Sequence, residues 1–249
     1  MQIDPQKHVP PPESPQDSFI APNRSAIAVG IVYLFLHMFL LGEVIFFFIR
    51  IFDLSPTLIE INLIYMFPGA LVLTLTMWRY LAESFDRFRA YGVKNLAAFG
   101  IGYAIRFAGS IPITILIMIF IPDFITTPNS EVVLGMATSD FFLTAFLAIV
   151  LAPIVEELLF RAALFGALRK KNRILAYVIS TLAFAFLHVL SFLLFSPSPA
   201  LLLIMLSYFP AGIALAWSYE KSGSIWTAIF LHALMNAVAI GLGSFVLQA

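Results

Sequence analysis

The chain contains no cysteine in its 249 residues. That absence removes disulfides, iron–sulfur clusters, thiolate metal sites and a cysteine nucleophile from consideration. Charge is scarce too: Asp, Glu, Lys and Arg together make up 11% of the sequence, with 14 Lys plus Arg against 14 Asp plus Glu. A nucleic-acid binder needs a basic excess, so no nucleic-acid partner is expected. Only four histidines are present, so a metal site would have to combine a few imidazoles with carboxylates. The abundant class is apolar. Hydrophobic residues reach 61% and the mean hydropathy is +0.97, where a soluble domain is roughly 45–50% apolar and about 25% charged. A 27.7 kDa globule cannot hide that much apolar surface and stay monodisperse. A soluble enzyme and a disordered chain are therefore excluded. Long unbroken apolar runs also argue against a membrane barrel, whose strands alternate. The expected fold is all-α, a polytopic membrane helix bundle.

Residues 1–24 carry six prolines and little apolar surface, which predicts a disordered tail. The apolar run at 25–49 is too long for the core of a signal peptide and lacks a small-x-small cleavage site, so it reads as a first spanning helix. Six further runs follow, at 58–78, 96–121, 141–167, 174–195, 199–218 and 224–248. Each reaches the ~20 residues that cross a hydrocarbon core. Seven spans sort the loop charges. Arg79, Arg87, Arg89, Lys94, Arg169, Lys170, Lys171, Arg173 and Lys221 fall on one side, whereas the connections 122–140 and 196–199 hold no Lys or Arg. Arg50 is the exception. Positive residues favour the cytoplasm. The expectation is a multi-pass protein of the plasma membrane, with a cytoplasmic amino terminus and the lipid bilayer as its surroundings.

Ionisable residues inside the spans are costly, at least ~2.5–3.5 kcal/mol each at the bilayer centre. Glu156 lies twelve residues before the cytoplasmic end of the fourth span, roughly 18 Å deep. By the same rise His188 is roughly 21 Å deep in the fifth span, and His232 and Asn236 are roughly 12 and 18 Å deep in the seventh. Four polar side chains from three helices thus fall in one slab. His232 and Asn236 share a helix face, as do Glu157 and Arg161, the latter in the favourable order for an ion pair. Glu156 is turned about 100° from Glu157, so one carboxylate can be neutralised while the other projects elsewhere. Phe184 lies one turn from His188, where its ring can restrict the imidazole. Such a set suits metal-assisted hydrolysis: zinc takes His nitrogens and a carboxylate oxygen and lowers the pKa of a bound water toward ~7. A glutamate beside that water serves as general base, and an Asn amide can donate to an oxyanion. A metal-free version needs only Glu156 and His188 on the water.

Three ordered motifs carry a family resemblance. Glu156-Glu157-Leu158-Leu159-Phe160-Arg161 fits EExxxR, Phe184-Ala185-Phe186-Leu187-His188 fits FxxxH, and His232-Ala233-Leu234-Met235-Asn236 fits HxxxN. Together they resemble the CPBP family of intramembrane proteases, the CAAX-protease and bacteriocin-processing proteins also called Abi. The resemblance covers about residues 140–240. It implies a catalytic transmembrane core at 140–249 behind variable helices at 25–139, with the active site inside the bilayer and open toward the cytoplasm. It further implies that Glu156 and His188 activate the water, that His232 and Asn236 bind the oxyanion, and that Glu157 and Arg161 support them. Glu156, His188 and His232 would be the ligands of a zinc ion. The implied activity is endopeptidase cleavage of a membrane-bound protein or peptide substrate.

Blander readings stand beside this one. The paired carboxylates with Arg161 could fix helix register, each histidine alone could be a hydrogen-bonded core residue, and Asn236 could be helix–helix glue. His37, Glu43 and Arg106 belong to no motif; helix packing or a Glu43–Arg106 ion pair is the default for them. A bacteriocin self-immunity or regulatory membrane protein on the same scaffold is the alternative function. A proton pathway through Glu156, Glu157 and His188 is a third, which no pair of broken helices supports.

Overall fold

The structure is a computed structural model that describes residues 19–248, with the side chains of 244–248 left aside. Ten helices follow in order: α1 (Arg24–Phe39), α2 (Leu41–Ile51), α3 (Leu58–Thr76), α4 (Trp78–Ala90), α5 (Gly92–Phe120), α6 (Pro128–Ser139), α7 (Phe141–Arg169), α8 (Arg173–Phe195), α9 (Ala200–Ser222) and α10 (Ile225–Gln248). No strand occurs among the described residues. Helices α3, α5, α7, α8, α9 and α10 are long and apolar enough to cross a membrane, and α1 with α2, bent by 51° at their junction, makes up to seven if the pair is one span. The fold is thus an all-α polytopic bundle.

Helix starts are written in the connections. Asn23 accepts from the Ala26 amide at the head of α1. Thr57 and Glu60 form a reciprocal capping box on α3. Thr127 caps α6 ahead of Pro128, Asp140 caps α7, and Asn172 caps α8. Each satisfies an amide that the first turn leaves free. Gly223, with φ of 71°, ends α9 in the left-handed conformation that glycine adopts without strain.

Three features depart from the sequence expectation. Residues 79–95, read as a loop, hold the amphipathic helix α4, which buries Tyr80, Leu81 and Ser84. At the helix start that follows Gly223, the Ser84 hydroxyl pairs with that of Ser224 and accepts from the Ile225 amide. Residues 122–140, also read as a loop, contain α6. The tail expectation for residues 1–18 lies outside the described residues, but 19–23 are packed. Phe19 meets Phe165 and Tyr219 edge-on, and the Tyr219 hydroxyl donates to the Ile20 carbonyl. Two apolar side chains, Phe19 and Ile20, seat the segment just ahead of α1.

These contacts define two ends of the bundle. Residues 19–24, α4, the α7–α8 turn and the α9–α10 turn meet at one. There the Glu220 carboxylate accepts from Arg169, from Arg173 at 2.8 Å and from the Tyr177 hydroxyl at 2.8 Å. The loops rich in Lys and Arg lie here, so this is the basic end. At the other end α6 covers the bundle: the Tyr208 hydroxyl donates to Thr127, and Leu134 packs on Gly243.

Spans cross closely where side chains are small. A Cβ at Gly102 in α5 would collide with Ser218 of α9 and Leu231 of α10, and the Ser218 hydroxyl donates to the Ala98 carbonyl across the same seam. Small residues let helix backbones approach in lipid. Gly102→Val is expected to cost about 1–3 kcal/mol, read as a lowered melting temperature in nanodiscs; an unchanged melt would show that the seam is loose.

Candidate active site

Helix α7 is not a uniform helix. It is π-helical over Leu147–Leu151 and again over Leu158–Phe165, with α-helix over Ala152–Glu157 between them. Such wide turns are frequent at functional sites. Here the two carboxylates lie in the short α-helical part, between the two wide turns. The first wide turn has a cause in the sequence. In i→i+5 pairing the Ala152 amide donates to the Leu147 carbonyl, and the next donor in the series would be residue 153. Pro153 has no N–H, which strips the Ala148 carbonyl of its helical partner. Asn236 of α10 supplies a replacement, donating its side-chain amide to that carbonyl at 2.7 Å.

The adjacent carboxylates have different surroundings. Glu157 is fully buried and accepts from Arg161 at 3.1 Å and from Nδ1 of His232 at 2.8 Å, both through Oε1. Arg161, also fully buried, donates to the Gly212 carbonyl at 3.2 Å and lies over the Phe184 ring at 4.4 Å. Glu156 points the other way. Its Oε2 is buried and has no hydrogen-bond partner among the described residues. The Nε2 atoms of His188 and His232 stand 3.9 and 4.0 Å from it.

Each imidazole is oriented through its other nitrogen. Nδ1 of His188 lies 2.8 Å from the Phe184 carbonyl, which can only accept, so Nδ1 carries the proton. Nδ1 of His232 donates to the paired Glu157 carboxylate by the same reasoning. Both Nε2 lone pairs therefore converge on the Glu156 oxygen. Phe184 lies among them, with ring centroids 4.6 Å from His188 and 5.8 Å from His232. The Tyr208 ring also lies against His188, at 4.4 Å.

Three acceptors facing one gap call for a proton donor or a cation between them. Two neutral imidazole nitrogens and a carboxylate are the donor types zinc takes, and a carboxylate holding the far nitrogen of a ligand histidine is a common supporting arrangement. The separations of 3.9 and 4.0 Å exceed the ~3.3 Å between ligands in a tetrahedron with bonds of about 2.0 Å. Among the described residues no group of three or more His, Cys, Asp or Glu stands close enough to hold an ion. The donor set suits zinc chemically, and the gap as it stands is the width of a water molecule bridging the three atoms.

Glu156, His188, His232 and Asn236 all line one cavity of about 1070 Å³. The cavity also brings in residues that no motif marked. His37 is almost completely buried, its ring 4.3 Å from that of Tyr65, and neither of its ring nitrogens has a hydrogen-bond partner among the described residues. Glu43 lines the cavity as well; no ion pair joins it to Arg106 among the described residues. The depth argument could have admitted His37, which shares the slab; Tyr65 and Tyr208 had no signal, because a tyrosine in an apolar helix is ordinary.

Comparison with known proteins falls on this same stretch. Residues 138–238 match the family model described as type II CAAX prenyl endopeptidase Rce1-like. The chain is similar to the Bacillus subtilis (strain 168) protein named "Putative membrane peptidase YdiL", at 34% identity over 92 residues, 36% of this chain. The match spans about a third of that relative's length, 33%. No solved structure matches. The family match falls on the stretch that holds all three motifs and is in keeping with the CPBP resemblance there.

The Glu157–Arg161 pair sets a stability test. Arg161→Met leaves a buried carboxylate unpaired, at a cost of about 3–5 kcal/mol. The double variant with Glu157→Gln is expected to recover part of that loss in a reversible unfolding assay. Additive losses would mean that the two side chains are not coupled.

Proposed function

We propose that this chain is an intramembrane endopeptidase that hydrolyses peptide bonds of membrane-associated protein or peptide substrates. The observation that carries the reading is the Oε2 of Glu156, unpartnered at the cavity wall with imidazole nitrogens at 3.9 and 4.0 Å; the Oε2 of Glu157 is unpartnered too, but Glu157 does not line the cavity. A buried carboxylate oxygen without a partner is expensive, and a water-wide gap beside it gives that cost a use.

In this reading a water lies between Glu156 and the two Nε2 atoms. Glu156 takes a proton from it as the oxygen bonds to the scissile carbonyl carbon. The carbonyl oxygen becomes an oxyanion beside His232, stabilised by the second N–H of Asn236. Glu157 orients His232 by accepting from Nδ1, and Arg161 holds Glu157 in place. Glu156 then returns the proton to the amide nitrogen as the C–N bond breaks. The Phe184 and Tyr208 rings both pack against His188 and restrict it. Zinc, where bound, would be held by Glu156, His188 and His232 and would supply an acidified water. The amino terminus is cytoplasmic in this reading, because the basic loops collect at its end of the bundle.

Glu156→Gln is expected to lower cleavage of a membrane-embedded reporter by about 10²–10⁴-fold. It should leave the melting temperature unchanged or raised, since it removes an unpaired charge. Retained cleavage would sink the mechanism. Elemental analysis of the purified protein checks the metal: zinc at about one per chain that is lost in His188→Ala and in His232→Ala would assign these ligands, and an active metal-free protein would assign the water to Glu156 and His188 alone.

A further inference from the structure

The cavity has a definite side. Its walls come from His37–Phe46 at the α1–α2 bend, the first turns of α3, α6, the first half of α7, the last turns of α8, and α10 beyond His232. Every one of these segments lies between the polar cluster and the end capped by α6. None comes from α4, the α7–α8 turn or the α9–α10 turn, which make the basic end. The hollow therefore runs from Glu156 away from the Lys- and Arg-rich loops. Its charge is also one-sided. Glu43 and Glu131 line it and are exposed, and no Lys or Arg is among its lining residues. The remaining wall is largely apolar, with residues such as Ile45, Phe46, Leu194 and Phe195.

Positive loops mark the cytoplasmic face. We therefore propose that the cavity is entered from the non-cytoplasmic half of the membrane, and that it takes an apolar peptide segment with a lysine or arginine near its outer end. This is opposite to the cytoplasmic opening that the family resemblance implies. It rests on the peptidase reading for the fate of the segment, though not for the side of entry. The apolar wall accepts the body of the segment, which leaves lipid for a surface of similar polarity. Glu43 and Glu131 attract the basic residue where water reaches the rim, and repel an acidic one.

The lack of native cysteine makes the test direct. Ile125→Cys at the mouth and Asn62→Cys inside the cavity are to be labelled in whole cells with a membrane-impermeant maleimide. Lys171→Cys at the basic end serves as the opposite marker. The first two are expected to label in intact cells, and Lys171→Cys only after permeabilisation. Asn62→Cys labelling only together with Lys171→Cys overturns the proposal. For the occupant, Asn62→Cys is combined with Glu156→Gln in nanodiscs and challenged with a Leu/Ala-rich peptide ending in two lysines, the same peptide ending in two glutamates, and a single-chain lipid. The lysine peptide is expected to protect the thiol at about five- to tenfold lower concentration than the glutamate peptide. Glu43→Gln with Glu131→Gln should erase that difference. Equal protection by both peptides, or by the lipid, overturns the assignment of the occupant. None of these readings needs cleavage, so an inactive enzyme with correct labelling would sink the peptidase reading and leave the entrance standing.

Discussion

A guanidinium fully enclosed by protein at the middle of a membrane bundle has to be neutralised before the surrounding helices can close. Arg161 meets that condition with Glu157, the Gly212 carbonyl and the face of Phe184. The arrangement ties α7 to α8 and α9 at a single point, and through the second contact of Glu157 it reaches His232 on α10. Four spans are thus fixed in depth and rotation by one ion pair and its hydrogen bonds. Burial makes such a pair a poor source of net stability. Its value is positional: it leaves Glu156, one residue away, nowhere to turn but the cavity.

The span pattern was legible in the sequence because it depends on composition alone. Apolar runs of sufficient length, separated by Asp53 to Pro56, Ser196 to Pro199 and Lys221 to Gly223, located the crossings, and helix ends shifted by only a few residues. That Glu156, His188, His232 and Asn236 share one depth followed from counting residues along helices from a common face; that they meet side by side did not. What the sequence could not show was anything that depends on hydrogen-bond register within a helix or on packing between helices. The wide turns of α7 leave no compositional trace, and Pro153 alone reads as an ordinary kink. The amphipathic α4 was hidden by its charged residues, which look like a loop when only Arg79, Arg87 and Arg89 are counted. The direction of the cavity needed the bend between α1 and α2 and the placement of α6, neither of which periodicity reports.

Asn236 illustrates how one residue can serve two readings at once. The i+4 relation to His232 suggested an oxyanion donor, and the bland reading made it a link between helices. The structure shows the link, an amide donating to the carbonyl that Pro153 has left open. An asparagine amide has two N–H groups, so one can hold α10 against α7 while the other faces the cavity. The link would then fix the direction of the second donor.

The wide turns of α7 have a consequence for how its surfaces can change over time. Each holds one more residue than an ordinary turn, and one residue is worth about 100° of rotation. The stretch before Leu147 and the stretch beyond Phe165 are therefore out of phase with the segment bearing the two glutamates. Substitutions that suit the outer portion to a new lipid thickness or a new neighbour need not rotate the acidic pair, because the slack between them absorbs the difference. The helix behaves as three coupled dials rather than one rigid shaft, so the chemistry in its middle is insulated from drift at its tips.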